Sequence, residues 1–477
     1  MQRPLIAFSL LFATLLAGSA RGAEGDDAML AYLDDAAGRY GSLARAIWEK
    51  AEVGYQEYDS SGLLQDALVE SGFSVATGVA DIPTAFIASY GEGGPVIALL
   101  AEFDALPGIT QTDSPQREPR DDVNAGHACG HHLFGAGSVA AAVAIKQWLE
   151  KNSVPGTVRL YGTPAEEGGS GKVYMVRAGL FDDVDAVLSW HPSDRNAANP
   201  ATSLANKSAK FRYRGISSHA AVAPERGRSS LDAVEAMNYM VNMMREHVPQ
   251  ETRIHYVITR GGSAPNVVPD DAEVFYYLRH PRRDVLEGLW DRVMDVAEAA
   301  ALGTGTELEY EVIHGNFNKL PNETLSAIMH ANLVRVGGVQ YSEEEADFAR
   351  RLRDSLEDAE ALAGSESRVD PMQFEQGMGS TDVGDVSWMA PTTEMRAATW
   401  VPGTAPHSWQ AIASGGTSIG TKGMLVAAKT LALTAAELYE SPEALSAARN
   451  EFVDRRGEDF DYTPLLGDRD PPLDYRK

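Results

Sequence analysis

Cysteine is nearly absent from this sequence: Cys129 is the only one in 477 residues. A single thiol cannot form an internal disulfide, so a fold held together by disulfides is excluded. Internal repeats, glycine-serine linkers and low-complexity blocks are also absent. Basic residues are comparatively few, since 41 Lys and Arg face 68 Asp and Glu, for a formal net charge of −27. Nucleic acids and anionic membrane surfaces repel such a charge, so neither is expected as a partner.

Long apolar runs are equally scarce, and the one at residues 5–17 is too short to span a bilayer comfortably. It follows Arg3 and precedes the small residues Gly18-Ser19-Ala20. This pattern predicts a signal peptide over residues 1–20, with Ala20-Arg21-Gly22 as a second cleavage site and an uncleaved anchor as the alternative. We therefore expect a secreted or periplasmic protein, in which a bound metal would protect the lone thiolate from oxidation.

The remaining composition is that of a globular protein, with 44% hydrophobic and 8% aromatic residues. A disordered or fibrous chain is excluded. Because 477 residues exceed one ordinary hydrophobic core, two or more domains are expected.

The chemistry-bearing residues cluster in two glycine-rich segments. The first is Gly126-His127-Ala128-Cys129-Gly130-His131-His132, and the second is Pro164-Ala165-Glu166-Glu167-Gly168-Gly169. Thiolate, imidazole and carboxylate are suitable ligands for two divalent metals, and one carboxylate of the Glu pair remains free to act as a base. The alternative is a buried apolar cysteine beside histidines and acids of surface loops.

These two segments resemble the signatures of a cocatalytic metal hydrolase family that includes aminoacylases, hippurate hydrolases, auxin-conjugate amidohydrolases and p-aminobenzoyl-glutamate hydrolases. The resemblance extends, in the same order, over nearly the whole chain. Its further segments are Trp190-His191-Pro192, Gly215 to Ala221, Ala264 to Asp270, Gly379 to Ser387 and Pro406-His407-Ser408.

The resemblance implies two divalent ions per subunit, Zn or Mn, with Cys129 or a water as the bridge. The five implied ligands are Cys129, His131, Glu167, His191 and His407. It also implies that Glu166 is the general base and that Asp104 hydrogen-bonds a metal-bound histidine. The alternatives are a helix or turn cap for Asp104 and surface positions for His191 and His407. The roles of His127 and His132 stay open.

Substrate contacts are implied by the same resemblance. His219 would reach across a homodimer into the neighbouring site and stabilise the oxyanion. Asn266 and Arg279 would hold a substrate carboxylate, and Ser380 and Thr381 would shape the pocket floor together with the next residue, Asp382. A surface residue is the alternative for Arg279, and a purely structural turn for the last three.

The expected fold class is α/β, with a doubly wound catalytic domain that carries the two-metal site. Residues 84–90 and 95–103 are expected to be strands joined by a tight turn, and strand ends would deliver the ligands. From about residue 208 the order β-α-β-β-α-β predicts an inserted ferredoxin-like α+β domain, which matches the lid and dimerisation domain of the family. The predicted divisions are catalytic domain 21–207, lid 208–317, catalytic domain 318–440 and a loosely packed tail 441–477.

These features favour an exported amidohydrolase that cleaves N-acyl or N-aroyl amino acids, such as p-aminobenzoyl-glutamate, with a metal-activated water. A dipeptidase or carboxypeptidase-like metallopeptidase is the alternative among enzymes. A non-catalytic metal- or solute-binding protein of the cell envelope is the alternative from another class, although such a protein has no use for a free base.

Overall fold

A computed structural model describes residues 25–357 and 362–477. The predicted signal peptide, residues 1–20, lies outside the described residues. No helix in the described ranges is both long enough and apolar enough to cross a bilayer.

A six-stranded mixed sheet forms the centre of the larger part of the molecule. Its strands are β1 (Ser74–Thr77), β2 (Phe86–Glu92), β3 (Val96–Ala101), β6 (Gly156–Gly162), β7 (Ala186–Ser193) and β14 (Thr392–Ala398). Their order across the sheet is β1-β2-β6-β3-β7-β14. Strands β3, β6, β7 and β14 run parallel, whereas β1 and β2 pair antiparallel at one edge. The apolar run of β3 is buried at every position, as expected for a strand covered on both faces.

Helices that precede and follow this sheet cover it. They are α1 (Ala37–Lys50), α2 (Tyr58–Glu70), α3 (His131–Asn152), α4 (Glu166–Gly169), α5 (Gly171–Arg177), α8 (Glu323–Val336), α9 (Glu343–Arg353), α10 (Val383–Ser387), α11 (Trp409–Gly415), α12 (Ser418–Glu440) and α13 (Pro442–Arg456). Residues 25–35 are also helical. The Ala-rich helix α3 is buried at nearly every residue of its first four turns, and α12 packs against it.

Four antiparallel strands and two helices form a second unit in the β-α-β-β-α-β order expected from the sequence. The elements are β9 (Ala205–Arg214), α6 (Ser230–Met244), β10 (Arg253–Arg260), β11 (Asp271–His280), α7 (Arg283–Thr304) and β12 (Glu307–Asn316). The strand order is β10-β11-β9-β12, and α6 and α7 pack on this sheet around a separate apolar core. Two small ladders pair β4 (Leu106–Pro107) with β5 (Ala125–Gly126) and β8 (Ala201–Thr202) with β13 (Glu375–Gln376).

One pair of strands is arranged differently from the simplest sequence interpretation. Strands β2 and β3 are joined by a tight turn, but they do not pair with each other, because β6 lies between them. Alternation of apolar residues locates strands along the chain, whereas the neighbour of each strand depends on contacts between distant segments.

The expectation of a loosely packed tail is wrong. Residues 442–456 form helix α13, and the following segment packs closely enough to bury Leu465 and Leu466 to 3% exposure each. The Asp-, Arg- and Pro-rich composition suggested solvation, but its apolar and aromatic residues occupy grooves of both sheets.

Candidate active site

The carboxyl ends of the parallel strands bring the candidate site together. Glu102 and Asp104 directly follow β3, Glu166 and Glu167 follow β6, and His191 lies near the end of β7. Open α/β sheets commonly bind ligands at this edge. Residues more than 60 positions apart in sequence therefore meet without any local motif joining them.

The turn before α3 aims Cys129 and His131 at one place. Gly130 between them has φ 79°, and a Cβ there would lie 2.6 Å from the Cβ of Pro192. A side chain at this position is excluded by both conformation and space. Cys129 is 7% exposed and His131 is fully buried.

His131 is oriented by a carboxylate. Its Nδ1 lies 2.8 Å from Oδ1 of Asp104, the contact that the family resemblance implies. Burial opposes protonation of His131, but Cys129, Glu102 and Asp104 raise its pKa well above the ordinary value. Its Nε2 lies 3.0 Å from Oε2 of Glu102 without making a hydrogen bond.

The Glu pair lies in a strained turn that several residues hold. Ala165 before the pair has φ 57° and Ser170 after it has φ 59°, a conformation that non-glycine residues rarely adopt. The buried Glu57 accepts a hydrogen bond from the Ala165 N–H at 2.8 Å, and Asp104 accepts one from the Glu167 N–H at 2.9 Å. Strain of this kind persists where surrounding contacts over-determine the backbone.

The two remaining histidines reach the same place from later in the chain. Nδ1 of His191 lies 2.8 Å from the carbonyl of Pro192, so this nitrogen carries the proton and Nε2 keeps its lone pair. That Nε2 lies 3.5 Å from Sγ of Cys129. His407 has φ 60°, its N–H donates to the carbonyl of Ala128, and its Nε2 lies 3.1 Å from Oε1 of Glu167.

These side chains form two donor triads that share one thiol. Cys129, His131 and His191 are the first triad, and Cys129, Glu167 and His407 are the second. Within each triad the donor atoms lie within 4.8 Å of one another. The five predicted ligands are thus together, in an arrangement that allows Cys129 to bridge two ions.

The donor set fits a pair of divalent ions. Oε2 of Glu102, Nε2 of His131 and Oε1 of Glu167 are buried without hydrogen-bond partners. Buried polar atoms are rarely left without partners, and an ion at this place would provide one. Nitrogen, oxygen and sulfur donors together favour a borderline metal such as Zn over Mg or Ca.

Protonation of the Glu pair differs between its members. Burial and the charges of Glu102, Glu167 and Asp382 raise the pKa of Glu166 well above its ordinary value, although Lys172 opposes this. Burial acts in the same direction on Glu167, but His407 and His131 hold its pKa below the ordinary value. A bound cation would lower the pKa of Glu166 and make it available as a base.

A buried ammonium lies beneath the pair. Nζ of Lys172 lies 2.6 Å from Oε1 of Glu102 and 2.7 Å from Oδ1 of Asp382, and all three residues are at most 1% exposed. The backbone N–H of Lys172 donates to the other oxygen of Asp382 at 2.9 Å. Sequence reasoning assigned no role to this lysine, because no local motif marks it.

A cleft of about 640 Å³ opens above the triads, between the two sheets. Cys129, Glu166, Glu167, His191, Arg279, Ser380, Thr381 and His407 line it among the predicted residues. Lining residues not predicted from the sequence include Asn206, Tyr277, His314, Asn316, Lys319, Glu394, Arg396 and Arg476.

The second sheet contributes a polar wall to this cleft. Asn206 pairs in register with Arg279 on one side and with Asn316 on the other. Nε of Arg279 is buried without a hydrogen-bond partner, and the structure shows no ion pair of its guanidinium with a described acid. Burial, and to a lesser extent Arg279, lower the pKa of His314 to about 4, so this histidine is neutral at neutral pH.

Two predicted residues lie away from this cleft. His219 and Asn266 are exposed, and they lie together where His219 pairs with Val267 and the Ala220 N–H donates to the carbonyl of Asn266. Neither is among the described residues that line the cleft.

The two histidines whose roles stayed open are buried next to each other. Nε2 of His127 lies 3.2 Å from the carbonyl of Ile47, and Nε2 of His132 lies 3.1 Å from that of Gly415. Burial lowers the pKa of both below the ordinary value. They belong to the packing behind the site.

This fold, with a shared thiol between two donor triads and a further carboxylate beside them, is typical of metal-dependent hydrolases. A model of peptidase family M20/M25/M40 matches residues 98–410. The chain belongs to this family, and it is a hydrolase.

Several known proteins are similar to the chain over most of its length. One of the two named components of the p-aminobenzoyl-glutamate hydrolase of Escherichia coli K12 is 41% identical and covers 87% of this chain and 92% of its own length. The Xaa-Arg dipeptidase of Mus musculus is 32% identical, covering 88% and 90%. These relatives are enzymes, which disfavours a non-catalytic binding protein.

Solved structures share the fold at lower identity. An aminobenzoyl-glutamate utilization protein from Klebsiella pneumoniae superposes with TM-score 0.61 at 19% identity, covering 85% of this chain and 97% of its own. A dinuclear metal-binding peptidase of family M20 from Bacillus subtilis gives TM-score 0.57 at 20% identity, covering 85% and 99%.

Replacing Lys172 by Met should be strongly destabilising, because it leaves the carboxylates of Glu102 and Asp382 buried without their cation. We expect a loss of about 3–5 kcal/mol in the free energy of unfolding, measured by urea denaturation. Burial raises the pKa of Asp382 to about 6 despite Lys172. Protonation of this carboxyl should therefore make the loss smaller at pH 5 than at pH 8.

The matched control is Lys50→Met, which breaks a surface ion pair to Asp59 at 2.6 Å. It should cost less than about 1 kcal/mol. Equal losses for the two variants would show that Lys172 does not stabilise the buried acids.

Proposed function

We propose that this hydrolase cleaves the amide bond of N-acyl or N-aroyl amino acids, p-aminobenzoyl-glutamate being representative, with two divalent ions, Zn or Mn. The observation that carries the proposal is the distribution of charge across the cleft. The donor triads and Glu166 lie at one end, and the unpaired guanidinium of Arg279 lies on the opposite wall.

The ions would be held by Cys129, His131, Glu167, His191 and His407. When bound, they supply Lewis acidity for a carbonyl and lower the pKa of a nearby water. Asp104 keeps the proton of His131 on Nδ1 and leaves Nε2 as the donor.

The chain's own groups account for the remaining steps. Arg279 would bind the carboxylate of the amino acid in a fork, which places the amide near Glu166. Glu166 would accept a proton from water and return it to the leaving amine. Neutral His314 and Asn206 would supply uncharged polar contacts beside that carboxylate, and Ser380 and Thr381 would contact the substrate from the cleft floor.

A dipeptidase is the second candidate, because the mouse relative is named for Xaa-Arg substrates. Such a substrate has a free amine and a cationic side chain, which an acid of the cleft would have to bind. Glu394 is the nearest candidate, but it is paired with Lys319 at 3.0 Å. This pairing favours the N-acyl substrate.

Glu166→Gln should keep both ions while turnover falls by about 10²- to 10⁴-fold, because only the base is lost. Turnover should be followed on p-aminobenzoyl-glutamate, benzoyl- and acetyl-amino acids and free Xaa-Arg dipeptides, with metal content measured on protein purified without added metal. The exposed Glu150→Gln serves as a control for the loss of charge.

A fall in turnover of less than about tenfold would make the assignment of Glu166 wrong. Preference for the free dipeptides would replace the N-acyl substrate by the second candidate.

We also propose export of the protein to the periplasm or beyond, supported by the signal-like residues 1–20. The intact mass of protein isolated from the cell envelope should match a chain that begins near residue 21. A full-length chain in that fraction would instead support an uncleaved anchor.

A homodimer through the inserted domain is proposed as well. The edge strand β10 exposes Tyr256, Val257 and Ile258, an apolar stretch suited to pairing with a second copy. His219 lies outside its own cleft, which supports a role in the partner's site.

His219→Ala and Glu166→Gln should each be nearly inactive, and mixing them under subunit exchange should restore up to about a quarter of wild-type activity. One site of each mixed dimer is then intact, because it takes Glu166 and His219 from different subunits. A mixture of Glu166→Gln with His191→Ala is the matched control, and it should stay inactive.

No recovery in the first mixture would sink the cross-subunit role of His219. The native mass should be measured alongside, because the Escherichia coli relative is named as one of two different components of its enzyme.

A further inference from the structure

Residues 457–477, here called the docking segment, contact both sheets. Tyr462 donates a hydrogen bond to the buried Asp385 at 2.7 Å. Farther along, Arg469 donates to the carbonyl of Ile313 at 2.9 Å, at the end of the second sheet. Arg177 of α5 in turn donates to the carbonyl of Arg469 at 2.8 Å. The docking segment is thereby fixed to both parts of the molecule.

The same segment then reaches the candidate active site. The hydroxyl of Tyr475 donates to the backbone carbonyl of Glu167 at 3.0 Å, and Nη2 of Arg476 donates to the same carbonyl at 2.8 Å. Gln56 donates to the carbonyl of Leu473 at 2.7 Å, and the ring of Tyr475 packs edge-on against Tyr55 at 5.6 Å. Both donors to Glu167 are therefore held in place.

The peptide of Glu167 is gripped from two sides. On the inner side, Asp104 accepts from its N–H at 2.9 Å. On the outer side, Tyr475 and Arg476 donate to its carbonyl. The backbone of the turn is strained at Ala165 and Ser170, so it depends on such external contacts to keep its conformation.

We propose that Tyr475 and Arg476 are positioning residues for the Glu166–Glu167 pair. By fixing the Glu167 carbonyl they keep its carboxylate toward His407 and keep the carboxylate of Glu166 over the cleft. Arg476 lines the cleft, but in this assignment it acts through Glu167. The inference rests on the proposed function for its effect on metal binding and turnover, but not for its effect on the backbone.

The test compares Tyr475→Phe, Arg476→Gln and the double variant with wild type. Each single variant removes one donor and keeps most of the packing, while Arg476→Lys retains a cation that can still donate. The control is Lys477→Gln, because Lys477 is exposed and the described residues show no contact of its ammonium. Thermal unfolding confirms that each variant folds.

The first readout is hydrogen exchange of residues 163–171 in metal-stripped protein, which depends on neither metal nor turnover. The double variant should exchange in this segment at least about tenfold faster, while β7 stays unchanged. The second readout is the dissociation constant for Zn, expected to rise about 10- to 100-fold, as is typical when partners of metal ligands are removed. The third is a fall in kcat with KM within about threefold of wild type.

Arg476→Lys should lie between wild type and Arg476→Gln in all three readouts. Unchanged exchange in the double variant would overturn the inference, and so would a rise in KM alone, which would make Arg476 a direct substrate contact. If no substrate of the panel is hydrolysed but exchange responds, the proposed function fails and the inference stands. If hydrolysis occurs and the double variant matches wild type, only the inference fails.

Discussion

The buried ammonium of Lys172 is the interaction on which the active-site end of this molecule depends. Acids from three separate segments converge there, and carboxylates this close repel one another in a medium of low dielectric constant. Lys172 holds Glu102 and Asp382, and Glu102 in turn lies beside His131. Donors above can therefore collect around Cys129 while the charge beneath them is compensated.

Charge is distributed unevenly within a strongly acidic protein. The formal net charge is −27, yet arginines and a lysine line the wall of the cleft that faces the donor triads. Two of these cations, Lys319 and Arg396, are paired with Glu394 and Glu375, whereas Arg279 keeps its guanidinium available. An anionic small molecule is thereby attracted locally although the surface as a whole repels it.

Much of the fold could be predicted from the sequence because its signals are local. The six elements between Ala205 and Asn316 alternate with clear periodicity and turn residues, and the structure has them in the expected order. The donors near Cys129 and Glu167 were marked by glycines and unusual residue types. What could not be predicted depends on contacts between distant segments: the insertion of β6 between β2 and β3, the partners of Lys172, and the docking of Tyr475 on Glu167.

The hydrogen bond between Arg476 and Glu167 joins residues 309 positions apart. During synthesis from the N-terminus, the strands that carry Glu167 leave the ribosome long before His407 and the docking segment do. A nascent chain can therefore build the β3–β6–β7 part of its sheet while two of the contacts that hold Glu167 are still missing. Closing so long a loop is slow relative to local folding. Maturation of the catalytic centre is consequently a late event in the life of each molecule, separated in time from the collapse of its core.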